Sequence, residues 1–354
     1  MFLSRLAMRF HIITNAALTG DYNAFESEFF AAGYSKYSRL RAYIQFVNTQ
    51  FSDDMRNQGQ TLKVANETAD AIERDSDLEE LMENSEHLNQ IRVTGAEFQA
   101  WIKKVYSTSR GRELPGNYNH VLLTELFHFQ SRRWKGMASK HLWAVHTQLE
   151  SFIQTLAQHI TQDERISMEI ADKVAQHLSG QMSRASAELE ILIEDERQKP
   201  ITYNHYYTDN LQRARQSDSQ DLIKSVMQDA VESDYGGALH VSNNRIDMQR
   251  LIKALQSRVI IDMDEQACAE ARAGLDAYYK VARKTFVDNV CKQVVERHLL
   301  RSLPSLFSSE MVGGYSEADL IRIAAESPQT LAKRKHLQGL HASLTESLKE
   351  LSRY

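Results

Sequence analysis

Residues 166–192 read ISMEIADKVAQHLSGQMSRASAELEIL, and their spacing decides the fold class. Ile166, Ile170, Val174, Leu178, Met182, Ala185, Leu189 and Leu192 recur at steps of three or four. That spacing lines one face of an α-helix, whereas a half-buried strand would alternate every second residue. Working outward, the preceding stretch carries a similar stripe: Leu123, Phe127, Trp134, Ala138, Leu142, Val145, Leu149, Phe152, Leu156 and Ile160. Nearer the N-terminus, Leu40, Ile44, Val47, Phe51, Met55, Leu62, Ala65, Ala69 and Ile72 predict one helix of about 50 Å. Its far end is acidic, with nine Asp or Glu against Arg74 alone over residues 67–86. A shorter helix is expected around Phe98, Ile102 and Val105. Downstream, Leu275, Tyr279, Ala282, Phe286, Val290 and Val294 mark a fourth long helix, and Leu337, Leu340, Leu344, Leu348 and Leu351 a C-terminal one.

Composition agrees with this helical reading. Glycine supplies 14 and proline 4 of 354 residues, well below the usual shares of about 7% and about 5%. A sheet-rich chain of this length would recruit many more turn residues. Pro200 is expected to end or kink the third long helix, because proline cannot donate to the helical ladder. Gly313, Gly314 and Pro328 separate the last helix from the rest. Residues 216–246, with Ser217, Asp218, Ser219, Gly236, Gly237, Asn243 and Asn244, predict a mobile connection. The expected architecture is all-α: an elongated antiparallel four-helix bundle with an additional C-terminal helix.

Net charge is −5 with 25% charged residues, which points away from a nucleic-acid groove. No stretch approaches the roughly 18 uncharged apolar residues of a membrane span. Phe2, Leu3, Leu6, Phe10 and Ile13, with Arg5, Arg9 and no acid in the first 20 residues, fit an amphipathic helix packed on the core; the alternative is a mitochondrial presequence. Cys268 and Cys291 lack metal-type spacing and read as buried thiols of a reducing compartment.

Catalytic machinery is not visible. A P-loop needs Gly-Lys at its end to cradle phosphates, and no Gly-Lys pair occurs in the chain, so the chain by itself is expected not to bind GTP. Glu125 and His128 form one Glu-x-x-His pair, but a di-iron bundle needs two; a surface histidine is the plainer reading. His141 and His146, five apart, do not share a helix face well. No nucleophile elbow is present. The catalytic, cofactor-binding and metal sets are therefore all expected to be empty. Lys333, Arg334 and Lys335 open the leucine-striped C-terminal helix. They read as its solvated face, with contact to anionic lipid as the alternative.

Four runs resemble one family. Arg110–Asn119, RGRELPGNYN, stands ahead of a long amphipathic helix containing Glu125, Leu126 and Phe127. It is similar to the middle, or stalk, region of dynamin-superfamily GTPases. Pro200–Leu211, PITYNHYYTDNL, looks like the kinked stalk segment of Mx-like and fungal members. Ala277–Val290, AYYKVARKTFVDNV, and Glu326–Leu337, ESPQTLAKRKHL, resemble the GTPase effector domain. The resemblance implies three segments: a stalk at 1–215, a mobile connection and helix lead-in at 216–262, and an effector domain at 263–354. The family's GTPase domain would precede residue 1, so GTP and magnesium would enter only through such a domain, and no enzymatic activity is expected of this chain. Leu337–Leu351 resembles the last helix of the family's bundle signalling element.

The resemblance also implies self-assembly, either as a homo-oligomer or with full-length dynamin-related proteins. It implies a cytoplasmic scaffold, peripheral on an organelle membrane, that serves membrane remodelling, fission or trafficking. Arg110, Gly111, Arg112, Glu113, Leu114, Pro115 and Gly116 match a turn that family members use at assembly contacts. The alternative for the two arginines is capping of nearby helix ends. Two other readings stay open: a fragment of a full-length dynamin-related GTPase, and an unrelated helical adaptor.

Overall fold

A computed structural model describes residues 2–23, 26–31, 36–65, 89–112, 119–161, 163–216, 220, 263–324 and 328–351. Its α-helices are α1 (Phe2–Thr19), α2 (Leu40–Gln58), α3 (Gly95–Ser109), α4 (His120–Ser131), α5 (Trp134–Ile160), α6 (Glu164–Glu196), α7 (Met263–Asn289), α8 (Ser309–Gly313), α9 (Glu317–Ala324) and α10 (Pro328–Leu351). A helical stretch also covers 206–216, beyond the break at Pro200. Two three-residue strands, β1 (Leu62–Val64) and β2 (Ile91–Val93), pair in parallel with Leu62 opposite Ile91. The all-α class holds.

The chain divides into two compact units. One comprises Met1–Gln45, Val145–Arg184 and Arg297–Tyr354; the other Phe46–Ala144 and Ala185–Glu296. In the first, α1 buries Leu3, Leu6, Phe10 and Ile13 and packs on α8 and on the turn Leu303–Ser305. Phe10 meets Phe307 edge-on at 5.7 Å. The N-terminal apolar face is thus spent on the core. In the second unit, α7 packs on α3 and α4. Trp134, Phe127, Tyr278, Tyr279 and Phe286 form its aromatic centre, with Trp134 Nε1 donating to the Tyr279 hydroxyl at 3.0 Å. Each such ring pair contributes about 0.5–1.5 kcal/mol beyond the area it buries.

Three expectations need correction. The helix expected from Leu40 to Ile72 ends at Gln58. A Cβ on Gly59 would stand 2.3 Å from the Met55 carbonyl oxygen, so the chain leaves the helix at a residue without a side chain. Leu62 and Val64 then enter β1, whose polar groups are met by the buried Gln130. Leu62 N donates to Gln130 Oε1 at 2.9 Å, and Gln130 Nε2 to Leu62 O at 3.3 Å. The acidic run at 67–86 lies outside the described residues, as does the connection over 221–262. Second, the stripe Leu123–Ile160 is two helices, broken at Arg132 and Arg133. Arg133 Nη1 caps the end of α2 by donating to Gln58 O, the favoured location for a cation. Third, the helix after α7 continues as a π-helix over Val290–Leu300. Val290, Val295 and Leu300, and likewise Val294 and Leu299, are all buried. Their spacing of five suits the wider i→i+5 turn.

Candidate assembly surfaces

The turn singled out at Arg110–Gly116 follows α3. That helix begins with a capping box, in which Glu97 N donates to Thr94 Oγ1 at 3.2 Å and Thr94 N to Glu97 Oε2 at 2.7 Å. Such a pair satisfies two of the helix's unpaired donors. At the other end, Arg110 Nη1 lies 3.3 Å from Asp264 Oδ2, and the Tyr106 hydroxyl donates to Asp264 Oδ1 at 3.0 Å. The Arg110 guanidinium also sits 5.7 Å from the centre of the Tyr106 ring. Asp264 occupies the first turn of α7, where a carboxylate opposes the positive end of the helix dipole. Arg110 therefore ties the end of α3 to the start of α7. Gly111 and Arg112 are exposed, and Arg112 has no ion pair among the described residues. Glu113, Leu114, Pro115 and Gly116 lie outside the described residues.

The C-terminal helix α10 opens on Pro328, whose missing N–H costs nothing at a first helical position. Leu337, Leu340, Leu344 and Leu348 are 51–68% exposed; the Leu351 side chain lies outside the description. Lys333, Arg334 and Lys335 are exposed on the same helix. Burying a leucine contributes about 1.5–3 kcal/mol, so the bare stripe is a surface with unspent burial energy.

Among the described residues no group of three or more His, Cys, Asp or Glu is placed to hold an ion. His128 of the Glu-x-x-His pair has Nε2 at 3.3 Å from Gln198 O, a backbone contact. Neither cysteine forms a disulfide among the described residues. Cys268 is buried, while Cys291 is only half-buried, with burial pushing its thiol up to about 11; a thiol so raised is a poor nucleophile. No helix among the described residues is long and apolar enough to cross a membrane.

Two polar constellations escaped the reading of spacing. In the first unit, Arg9 forks onto Glu26, Nε to Oε1 at 2.5 Å and Nη2 to Oε2 at 2.7 Å. His159 Nε2 lies 2.8 Å from Glu26 Oε2, and Arg9 Nη1 donates to Ile160 O at 2.8 Å. The Arg9 hydrogen bonds, with help from His159, hold the Glu26 carboxyl below its usual range. Glu26 itself sits at φ 62°, in the left-handed region. In the second unit, His141 stacks on Phe51 at 4.4 Å with an interplanar angle of 8°. Neither of its ring nitrogens has a hydrogen-bond partner among the described residues, and burial pushes it down to about 4.

Comparison with known families gives two matches. The family described as the dynamin central region matches residues 24–216, and the dynamin GTPase effector domain matches residues 264–354. No curated protein and no solved structure matches the chain.

Proposed function

The chain belongs to the dynamin family, and from that premise we propose that it is a self-assembling stalk and effector scaffold. Membrane remodelling and oligomerisation are typical of the family. The observation that carries the reading is the common core of the two matched regions. Tyr278, Tyr279 and Phe286 of the effector region pack against Phe127 and Trp134 of the central region. A stalk built this way folds from its own residues and leaves Arg112 and the leucine face of α10 for other chains. Its partners are copies of itself or full-length relatives, and its place of action is the surface of an organelle undergoing fission or trafficking. Modest contacts suffice for such assembly, because each added contact in an array is effectively intramolecular.

Sedimentation velocity over a range of concentrations tests the proposal. The wild type forms dimers or larger species as concentration rises. Arg112→Ala weakens them while leaving the melting temperature unchanged, since an exposed arginine costs the fold within about 0.5 kcal/mol. An interface arginine costs association about 2 kcal/mol or more. A wild type that stays monomeric at high concentration ends the scaffold reading; an Arg112→Ala variant that associates normally removes that residue from it.

A further inference from the structure

The second unit contains a cleft of about 540 Å³ between the end of α2, the 204–213 segment and one face of α7. Five cations line it: Arg56, Arg213, Lys280, Arg283 and Lys284. Among the described residues no carboxylate lines it, in a chain whose net charge is −5. None of the five has an ion pair among the described residues. Asn204, Asn210 and Tyr279 are among the neutral residues that also line it, and the Tyr279 hydroxyl accepts from Trp134 Nε1.

Gathering five like charges around one cavity is unfavourable unless an opposite charge is present. Arg283 is half-buried on α7. Burial lowers its guanidinium, Tyr279 opposes that shift, and the neighbouring charge of Arg56 adds a smaller lowering. The cations also come from three separate segments, so they surround a common volume; a solvated helix face would spread them outward along one element. Three guanidinium forks suit phosphate oxygens in pairs, and two ammonium groups add point charges between them. The volume is that of a compact small molecule.

We propose that this cleft binds a compact anion carrying several phosphates, of the inositol-polyphosphate class, either free or as the headgroup of a lipid. It is a different surface from Arg112 and α10, and it needs no assembly to form.

Isothermal titration calorimetry of the full chain with inositol hexakisphosphate is the first test. Saturable binding at one site per chain, weakening steeply with added salt, is expected. Arg283→Gln with Lys284→Gln lowers affinity by about tenfold or more, while Lys333→Gln with Lys335→Gln leaves it unchanged. Hydrogen exchange on the wild type supplies a check that needs no variant: ligand slows exchange over 206–213 and 280–284. Vesicles of phosphatidylcholine doped with phosphatidylinositol bisphosphate separate the sources. Vesicle binding competed by free hexakisphosphate identifies a lipid headgroup, and binding of the free compound alone identifies a soluble ligand. Magnesium-bound GTP, its phosphate charge masked by metal, is expected not to displace the hexakisphosphate at equal concentration. The proposal is overturned by absence of binding, by binding indifferent to the Arg283 and Lys284 changes, by displacement with magnesium-bound GTP at parity, or by preference for polyglutamate over hexakisphosphate.

Discussion

Replacing Gly59 by alanine adds one methyl group where α2 gives way to β1, and the surroundings set the consequence. The new carbon would lie 2.3 Å from the Met55 carbonyl oxygen and 3.0 Å from the Tyr279 hydroxyl. Carbon–oxygen contacts normally begin at about 3.3 Å, so the backbone must move by about 1 Å at a point with little freedom. Gly59 N donates to that same Met55 oxygen at 3.1 Å, Arg133 holds the adjacent Gln58 oxygen, and Gln90 Nε2 donates to Gln60 O at 3.2 Å. Overpacking of this kind costs about 1–3 kcal/mol, and each hydrogen bond loosened adds about 1 kcal/mol. The smaller entropy of an unfolded alanine returns about 0.4–1 kcal/mol. The expected net loss is about 2–3 kcal/mol, or about 4–12 °C in melting temperature for a unit of this size. Calorimetry of Gly59→Ala, Tyr279→Phe and the double variant checks the cause. Because the dominant clash is with backbone, removing the Tyr279 hydroxyl should not rescue the loss, and the two changes should add within about 0.5 kcal/mol. An alanine variant as stable as wild type, or one rescued by Tyr279→Phe, refutes the reasoning.

Other perturbations have equally definite outcomes. Glu26 is held below the ordinary carboxylate value of 4.5 by Arg9 and His159, so its stabilisation is complete above that value and is lost as pH falls through the lower folded one; Glu26→Gln should flatten this part of an acid-unfolding curve and lower stability at neutral pH. His141 works in a higher window, since its folded value of about 4 lies below the usual 6.5. Stability falls as pH drops from 6.5 towards 4, by up to about 3 kcal/mol, and His141→Phe should abolish that dependence while keeping the stack on Phe51; an unchanged profile between those pH values counts against the burial argument. In α10, the exposed Leu337, Leu340, Leu344 and Leu348 should leave amides 337–349 weakly protected in hydrogen exchange at concentrations where the chain is monomeric, and strong protection in a proven monomer would mean that the stripe is covered.

Spacing exposed the long helices because α6, α7 and much of α5 bury a simple stripe; Ile170, Val174, Leu178 and Ala185 are all fully buried. It failed where a break costs no periodicity. Leu62 and Ala65 stay in phase with Leu40–Met55, and only the crowding around Gly59 marks the end of the helix. The break at Arg132–Arg133 is hidden in the same manner, because Trp134 and Ala138 resume the count. The five-residue spacing of Val290, Val295 and Leu300 was legible, but reads as α-helical unless burial at both Val294 and Val295 is known. On the candidate surfaces, the bare leucines of α10 follow from the sequence. The Arg110–Asp264 contact does not, for the partners are 154 residues apart and Asp264 belongs to no motif that would pair it with the Arg110 turn. The cationic cleft was invisible for the same reason: Arg56, Arg213, Lys280, Arg283 and Lys284 read as ordinary helix-face cations until three segments converge.

The π-helical run at Val290–Leu300 makes the effector helix a thread with slack in it. Each wide turn holds more chain than an α-turn, so returning the run to α geometry would lengthen it and turn the downstream chain about the helix axis. Tension applied along this helix would therefore emerge as twist. The two buried rows, Val290–Val295–Leu300 and Val294–Leu299, would fall out of phase together, so the change of pitch would proceed as a step between two registers, never as a gradual stretch.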